Sequence, residues 1–150
     1  MSPQQLAGKS FIVTGAGQGL GRAYALEVAR QGGSVAINDR DPGLLAALAT
    51  EVTELGARAE AVIGSVADWS VVEKLVSTCA EAFGSVDALV NNAGVLHNPL
   101  PWGAVASMVY GRALETAGTG VRFDGVMPMA VTGMTNSATN GSNRRRSTCP

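Results

Sequence analysis

A chain of 150 residues can bury one core, and its balance of 46% hydrophobic and 15% charged residues with a net charge of −1 argues against an electrostatic grip on nucleic acid or an acidic membrane surface. A small neutral or anionic ligand fits that surface better, and the absence of a leader-like or bilayer-length apolar run predicts a cytoplasmic protein. Cys79 and Cys149 stand far apart without metal-ligand spacing, so no disulfide framework or metal site is expected and Cys79 reads as a small core residue.

From residue 10 to residue 91, short runs rich in β-branched residues alternate with longer stretches of helical period. The strand candidates are residues 10–14, 34–38, 58–63 and 86–91. Between them, Leu20, Tyr24 and Val28 form one apolar stripe, and Leu44, Leu48, Val52 and Leu55 form a second. The third and clearest runs through Val72, Leu75, Val76, Cys79, Ala80 and Phe83, with Asp68 or Ser70 placed to cap its start. Glycines at 32, 33, 56 and 84 fall where each helix must stop and turn. This alternation predicts an α/β fold of repeated βαβ units, a Rossmann-like parallel sheet with flanking helices.

After Leu96 the regularity ends. Two prolines in the stretch from His97 to Pro101 exclude a helix there. A short amphipathic segment over 104–117 follows, with Val105, Met108, Val109 and Ala113 on one face, and then a strand is expected at 121–127. With that segment as a crossover, the sheet would be an incomplete one of about five strands in the order 3-2-1-4-5. From Thr132 the composition is Thr, Ser, Asn and Gly with Arg144, Arg145 and Arg146, too polar to offset its ordering entropy. The expected organisation is one folded domain over 1–131 and a disordered tail over 132–150.

The strongest chemical signal is the run Thr14, Gly15, Ala16, Gly17, Gln18, Gly19, Leu20, Gly21, which follows a strand and opens a helix. Glycine permits a tight turn, and without a Cβ the backbone can approach a pyrophosphate. The helix start adds unpaired N–H groups and a partial positive charge. Counted from Gly15, the spacing departs from G-x-G-x-x-G because Leu20 holds the last glycine position. Asp39 follows 24 residues after Gly15. A carboxylate there can accept hydrogen bonds from an adenosine ribose and would repel a 2′-phosphate, which favours NAD over NADP. Gln18 is neutral and leans the same way, whereas Arg22 and Arg40 are cations that could accommodate a phosphate instead.

The T-G-x-x-x-G-x-G run at 14–21, Asp39, and the sequence Asn91, Asn92, Ala93, Gly94 closing the fourth strand together resemble the short-chain dehydrogenase/reductases over roughly residues 5–98. The resemblance implies that Gly15, Gln18, Gly19, Leu20 and Gly21 line a pyrophosphate, that Ser65 and Val66 lie beside adenine, and that Asn92, Ala93 and Gly94 lie beside the ribose and nicotinamide. Ser65 stands where the family usually has Asp or Asn. A second likeness runs from Gly120 to Pro128, after which Val131 matches a position that touches the carboxamide. Met129 and Gly133 depart from the family pattern there.

The resemblance also places a catalytic Ser and a Tyr-x-x-x-Lys pair between the two matching regions. A Tyr can protonate a developing alkoxide near neutral pH when a neighbouring cation lowers its pKa. Here the two tyrosines are Tyr24 and Tyr110, the residues four positions on are Val28 and Leu114, and the lysines are Lys9 and Lys74. No catalytic residue is therefore assigned. Ser107 and Tyr110, three apart, are the residual candidates for a Ser/Tyr pair; Arg112 does not face Tyr110 on a helix, and His97 reads as a solvated loop residue. Two readings stay open. One is an active NAD-dependent oxidoreductase by kinship; the other is a catalytically impaired NAD-binding or interaction module, or a truncated relative that has lost an internal segment near Trp102 and Gly103.

Overall fold

A computed structural model describes residues 4–94, 114, 115, 118–122 and 124. The chain divides into two compact units, Met1–Gly94 and Val95–Pro150. The first carries the elements β1 (Ser10–Thr14), α1 (Gly19–Arg30), β2 (Ser34–Asp39), α2 (Pro42–Glu54), β3 (Ala59–Ile63), α3 (Trp69–Phe83) and β4 (Ala88–Val90). All pairings are parallel and the sheet order is β3-β2-β1-β4.

The order follows from handedness. The connections α1 and α2 step outward from β1 to β2 to β3, and the chain then crosses back to the other side of β1. Right-handed crossovers in opposite directions place α3 on the face opposite α1 and α2. The side chains sort accordingly: Val13, Val35 and Ile37 are buried with Ala25, Val28, Leu45, Leu48 and Val52. On the other face Ile12, Ala36 and Val62 are buried with Leu75 and Cys79. Because β1 and β2 are covered on both sides, successive residues are buried and the strands read as continuous apolar runs. Cys79 is a core thiol whose pKa is raised by burial and by the nearby Asp87 carboxylate.

Local signals fix the helix ends. Asp41 in extended conformation accepts from the N–H groups of Gly43 and Leu44 at 2.8 and 3.0 Å, with Pro42 opening α2. Of the two residues placed to cap α3, Asp68 does so, accepting from Ser70 N–H at 2.9 Å, while the Ser70 hydroxyl donates to the same carboxylate. Gly84 closes α3 at φ 89°, a left-handed conformation that costs glycine no Cβ clash.

Strand β4 is shorter than the expected 86–91 because side chains take over at both ends. At its start, Asp87 accepts from Ser10 N–H at 2.9 Å, from the Lys9 ammonium at 2.8 Å and from the Ser85 hydroxyl at 2.9 Å. These partners, led by Lys9, hold the Asp87 carboxyl down at about 2. At the other end Asn92 turns onto Thr14.

The sheet among the described residues has four strands, not about five. Of the expected strand at 121–127, the described positions Val121, Arg122 and Asp124 are not in a strand. The residues leading into them form a turn, with Gly118 and Gly120 at φ 83° and 82° and Val121 N–H donating to the Thr119 hydroxyl, so local bonds stand where ladder bonds were expected. Within the segment 104–117, Leu114 and Glu115 are helical. The rest of it, and the tail 132–150, lie outside the described residues. Among the described residues no helix is long and apolar enough to cross a membrane.

Candidate functional site

The carboxyl ends of β1, β2 and β4 and the start of α1 meet at one edge of the sheet, as a doubly wound topology requires where the strand order reverses. After Thr14, Gly15 adopts φ 62° and Gly19 φ 58°. Ala16 N–H donates to Asn38 O at 2.9 Å, pinning the loop to the end of β2. Helix α1 then begins at Gly19. Its N-cap position, Gln18, is extended and makes no side-chain capping bond, in contrast to Asp41 and Asp68.

The glycines differ in what their missing side chains allow. A Cβ on Gly21 would lie 2.2 Å from Gly15 O and 2.5 Å from Asn92 Nδ2, and one on Gly15 would lie 2.9 Å from Ala93 Cα. These two let the loop, α1 and the end of β4 close on one another. Among the described residues, a Cβ on Gly19 would meet nothing within 4 Å. Gly19 therefore supplies the left-handed turn and leaves the helix start open.

Asn92 bolts β4 to the loop: its side-chain amide donates to Thr14 O and Gly15 O, both at 3.1 Å. The Thr14 hydroxyl accepts from the backbone N–H groups of Asn92 and Ala93, both at 3.0 Å. The motif alone assigns Thr14 no role, and the fold gives it this one. A hydroxyl at a strand end beside a glycine turn was the available signal.

Asp39 ends β2, half-buried, with Oδ2 accepting from Gly17 N–H at 2.9 Å. Arg22, one of the two cations considered for a phosphate, is drawn into an ion pair with Glu51 of α2. Arg40 is exposed and makes no ion pair among the described residues, so it keeps that possibility open. Beyond β3, Gly64 N–H donates to Asp39 O at 2.9 Å, which places Ser65 and Val66 just past the same edge. The Ser65 hydroxyl accepts from Ala67 N–H at 3.3 Å. Ile63, paired in register with Asp39 and 56% exposed, adds an apolar surface that the sequence reading passed over.

The structure thus brings together Gly15, Gln18, Gly19, Leu20, Gly21, Asp39, Ser65, Val66, Asn92, Ala93 and Gly94 at one end of the sheet. Val131, Ser107, Tyr110 and His97 lie outside the described residues. An uncapped helix start with glycine-lined approach and a carboxylate at the neighbouring strand end suits a ligand with an anionic centre and hydroxyl groups.

Comparison with known proteins agrees with this architecture. A model of the short chain dehydrogenase family matches residues 9–101. The chain is 46% identical over 118 residues to L-rhamnose 1-dehydrogenase (NAD(P)(+)) of Azotobacter vinelandii, covering 76% of this chain and 44% of that protein. It is 42% identical over 106 residues to the peroxisomal multifunctional enzyme type 2 of Mus musculus, covering 65% of this chain and 14% of the relative. Among solved structures, a short chain dehydrogenase/reductase from Burkholderia phymatum in complex with NAD superposes with a TM-score of 0.60 at 36% identity, over 66% of this chain and 35% of that one. L-Sorbose reductase from Gluconobacter frateurii, complexed with NADPH and L-sorbose, gives a TM-score of 0.61 at 31% identity, over 65% and 38%. The chain spans less than half the length of these relatives. With the family match covering more than half of its residues, the chain belongs to the short chain dehydrogenase family.

Proposed function

We propose that the chain binds a dinucleotide, NAD in preference to NADP, at the carboxyl edge of its sheet, and that it is catalytically impaired. The observation that carries the first part is the pairing of an uncapped α1 start with the Asp39 carboxylate at the next strand end. In this reading Gly15, Gln18, Gly19, Leu20 and Gly21 surround the pyrophosphate, with main-chain N–H groups and the helix dipole opposing its charge. Asp39 takes a ribose hydroxyl and repels a 2′-phosphate. The engagement of Arg22 by Glu51 supports the same preference, because it removes one of the two cations that could have answered such a phosphate. Ser65 and Val66 border the adenine; Asn92, Ala93 and Gly94, with Val131, border the nicotinamide half. The binding unit is read as residues 1–131, with 132–150 as a tail.

Bound NAD supplies a hydride acceptor, and its reduced form a donor. The proton of the same reaction needs an acid from the chain, and the sequence holds no Tyr-x-x-x-Lys. General acid catalysis contributes on the order of 10² to 10⁴ in rate, so a chain left with Ser107 and Tyr110 alone is expected to bind without efficient turnover. This fits a binding module, or a relative that has lost an internal segment near Trp102 and Gly103. The test is calorimetric titration with NAD and NADP, followed by NADH consumption with a panel of aldehydes and ketones. Tighter NAD binding without turnover supports the proposal. Equal or tighter NADP binding removes the preference, and turnover abolished by Tyr110→Phe restores an active oxidoreductase.

A further inference from the structure

We infer that Asp39 is a positioning residue for the glycine loop: its carboxylate brackets Gly17 against the Arg40–Asp41 turn and so holds the anion cradle in shape independently of any ribose. The ligand arm of this inference rests on the dinucleotide reading above; the bracket itself does not.

The geometry is two-sided. Oδ2 accepts from Gly17 N–H at 2.9 Å, while Oδ1 accepts from Arg40 N–H at 2.7 Å and from Asp41 N–H at 3.2 Å. Three main-chain donors therefore converge on one side chain. A carboxylate offers about four acceptor sites over its two oxygens, so it can serve all three and keep one free for a hydroxyl. An amide cannot, because its NH₂ would face an N–H on one side or the other.

The post is rigid. Asp39 is the last residue of β2, its carbonyl oxygen accepts from Gly64 N–H, and it is paired in register with Ile63. The preceding residue, Asn38, accepts Ala16 N–H through its carbonyl oxygen. Consecutive loop N–H groups, those of Ala16 and Gly17, are thus held by consecutive residues of β2. The loop is fixed up to Gly17, after which the chain turns into the uncapped start of α1.

Gly17 itself fits this role. A Cβ there would lie 2.9 Å from Asp39 Oδ2, 3.0 Å from Asp39 Cγ and 3.0 Å from Leu44 Cβ. Its missing side chain makes room for the carboxylate and for α2. Of the glycines at 15, 17, 19 and 21, Gly19 is the one whose Cβ would meet nothing within 4 Å among the described residues.

Two measurements on the full chain test the inference. The first is amide hydrogen exchange at Gly17 in the ligand-free protein. Asp39→Ala is expected to accelerate it by roughly tenfold or more, since a hydrogen bond to a charged group is lost, with Asp39→Asn, which can keep one side of the bracket, in between. The second is the affinity for 2′,3′-dideoxyadenosine 5′-diphosphate, which carries the pyrophosphate but neither ribose hydroxyl. Asp39→Ala is expected to weaken it by several-fold although there is no hydroxyl for the carboxylate to hold.

Unchanged Gly17 exchange overturns the bracket. Unchanged affinity for the dideoxynucleotide alongside weakened NAD binding overturns the positioning role and leaves Asp39 acting on hydroxyls alone. If Asp39→Ala does not fold, Gly17→Ala decides the matter with the carboxylate still in place: weakened dideoxynucleotide binding is expected, and unchanged binding refutes the inference. A wild-type chain that binds no adenine nucleotide defeats the dinucleotide reading, while Gly17 exchange still judges the bracket.

Discussion

Helices α1 and α3 begin in opposite ways. Asp68 turns its carboxylate onto the Ser70 N–H and its carbonyl oxygen onto those of Val71 and Val72 at the start of α3, whereas Gln18 leaves the start of α1 without a side-chain cap. A helix start carries about half a positive charge and N–H groups that must find partners. In α3 the chain satisfies them itself, so that helix is finished as a structural element. The start of α1 has no such side-chain cap, and Gly19, left-handed and with nothing among the described residues within 4 Å of a would-be Cβ, leaves the approach open. The difference separates a helix start closed by its own cap from one that is available to the ligand proposed above.

The comparison can be broken most severely at Gly21. Gly21→Ala puts a methyl 2.2 Å from Gly15 O, backbone that cannot easily yield, and 2.5 Å from the Asn92 side-chain amide. The expected cost is about 3 kcal/mol of stability, with loss of dinucleotide binding, read by urea unfolding and calorimetry. A variant of wild-type stability would show that the loop and β4 are not closed on one another as described.

A sharper test exchanges the two helix starts. Gln18→Asp gives α1 the cap it lacks, in a residue whose backbone is already extended. It should stabilise the free protein by about 0.5–1 kcal/mol and weaken dinucleotide binding roughly tenfold or more, because the new carboxylate competes for the same N–H groups. Asp68→Ala should do the reverse at α3, costing about 1 kcal/mol and leaving affinity unchanged. Equal effects of the two substitutions on affinity would erase the distinction.

The smallest effect is at the start of β4, away from the candidate site. Asp87 titrates from 3.8 in the unfolded chain and about 2 in the folded one, so its contribution is present above pH 4 and is lost as the pH falls towards 2. Lys9, whose pKa is raised by the same contact, contributes below its unfolded value of 10.5 and loses that contribution as the pH rises beyond it. Asp87→Asn should flatten the acid limb of the stability profile without altering dinucleotide affinity near neutral pH. An unchanged acid limb would remove Asp87 from this role.

What was legible in the sequence were the features with a local code. Runs such as Val35, Ala36 and Ile37 mark strands buried on both faces, and the stripe from Val72 to Phe83 marks α3. The glycine run, Asp39 and the Asn91–Gly94 sequence were legible as a candidate site because their spacing repeats a family pattern. Features that depend on partners far along the chain were not. Nothing near Asp87 announces Lys9 and Ser10, nothing near Arg22 announces Glu51, and nothing near Asp39 announces the Gly17 N–H, 22 residues before it in the chain. The expected strand at 121–127 is preceded by a turn at 118–120 with Gly118 and Gly120 left-handed, and its described residues Val121, Arg122 and Asp124 are not in a strand.

The bolt between Thr14 and Asn92 also bears on how the molecule reaches its fold. It joins residues 78 positions apart, and β4 offers three residues of strand to secure it. Closing so long a loop carries an entropic cost before any contact repays it, whereas β1, α1 and β2 can assemble as neighbours. The docking of β4 is therefore expected to be the late step of folding and its release the first step of opening. A ligand seated across that seam would bind only the closed chain and would act as a brake on opening, so the same contact that completes the site couples occupancy to the lifetime of the native state.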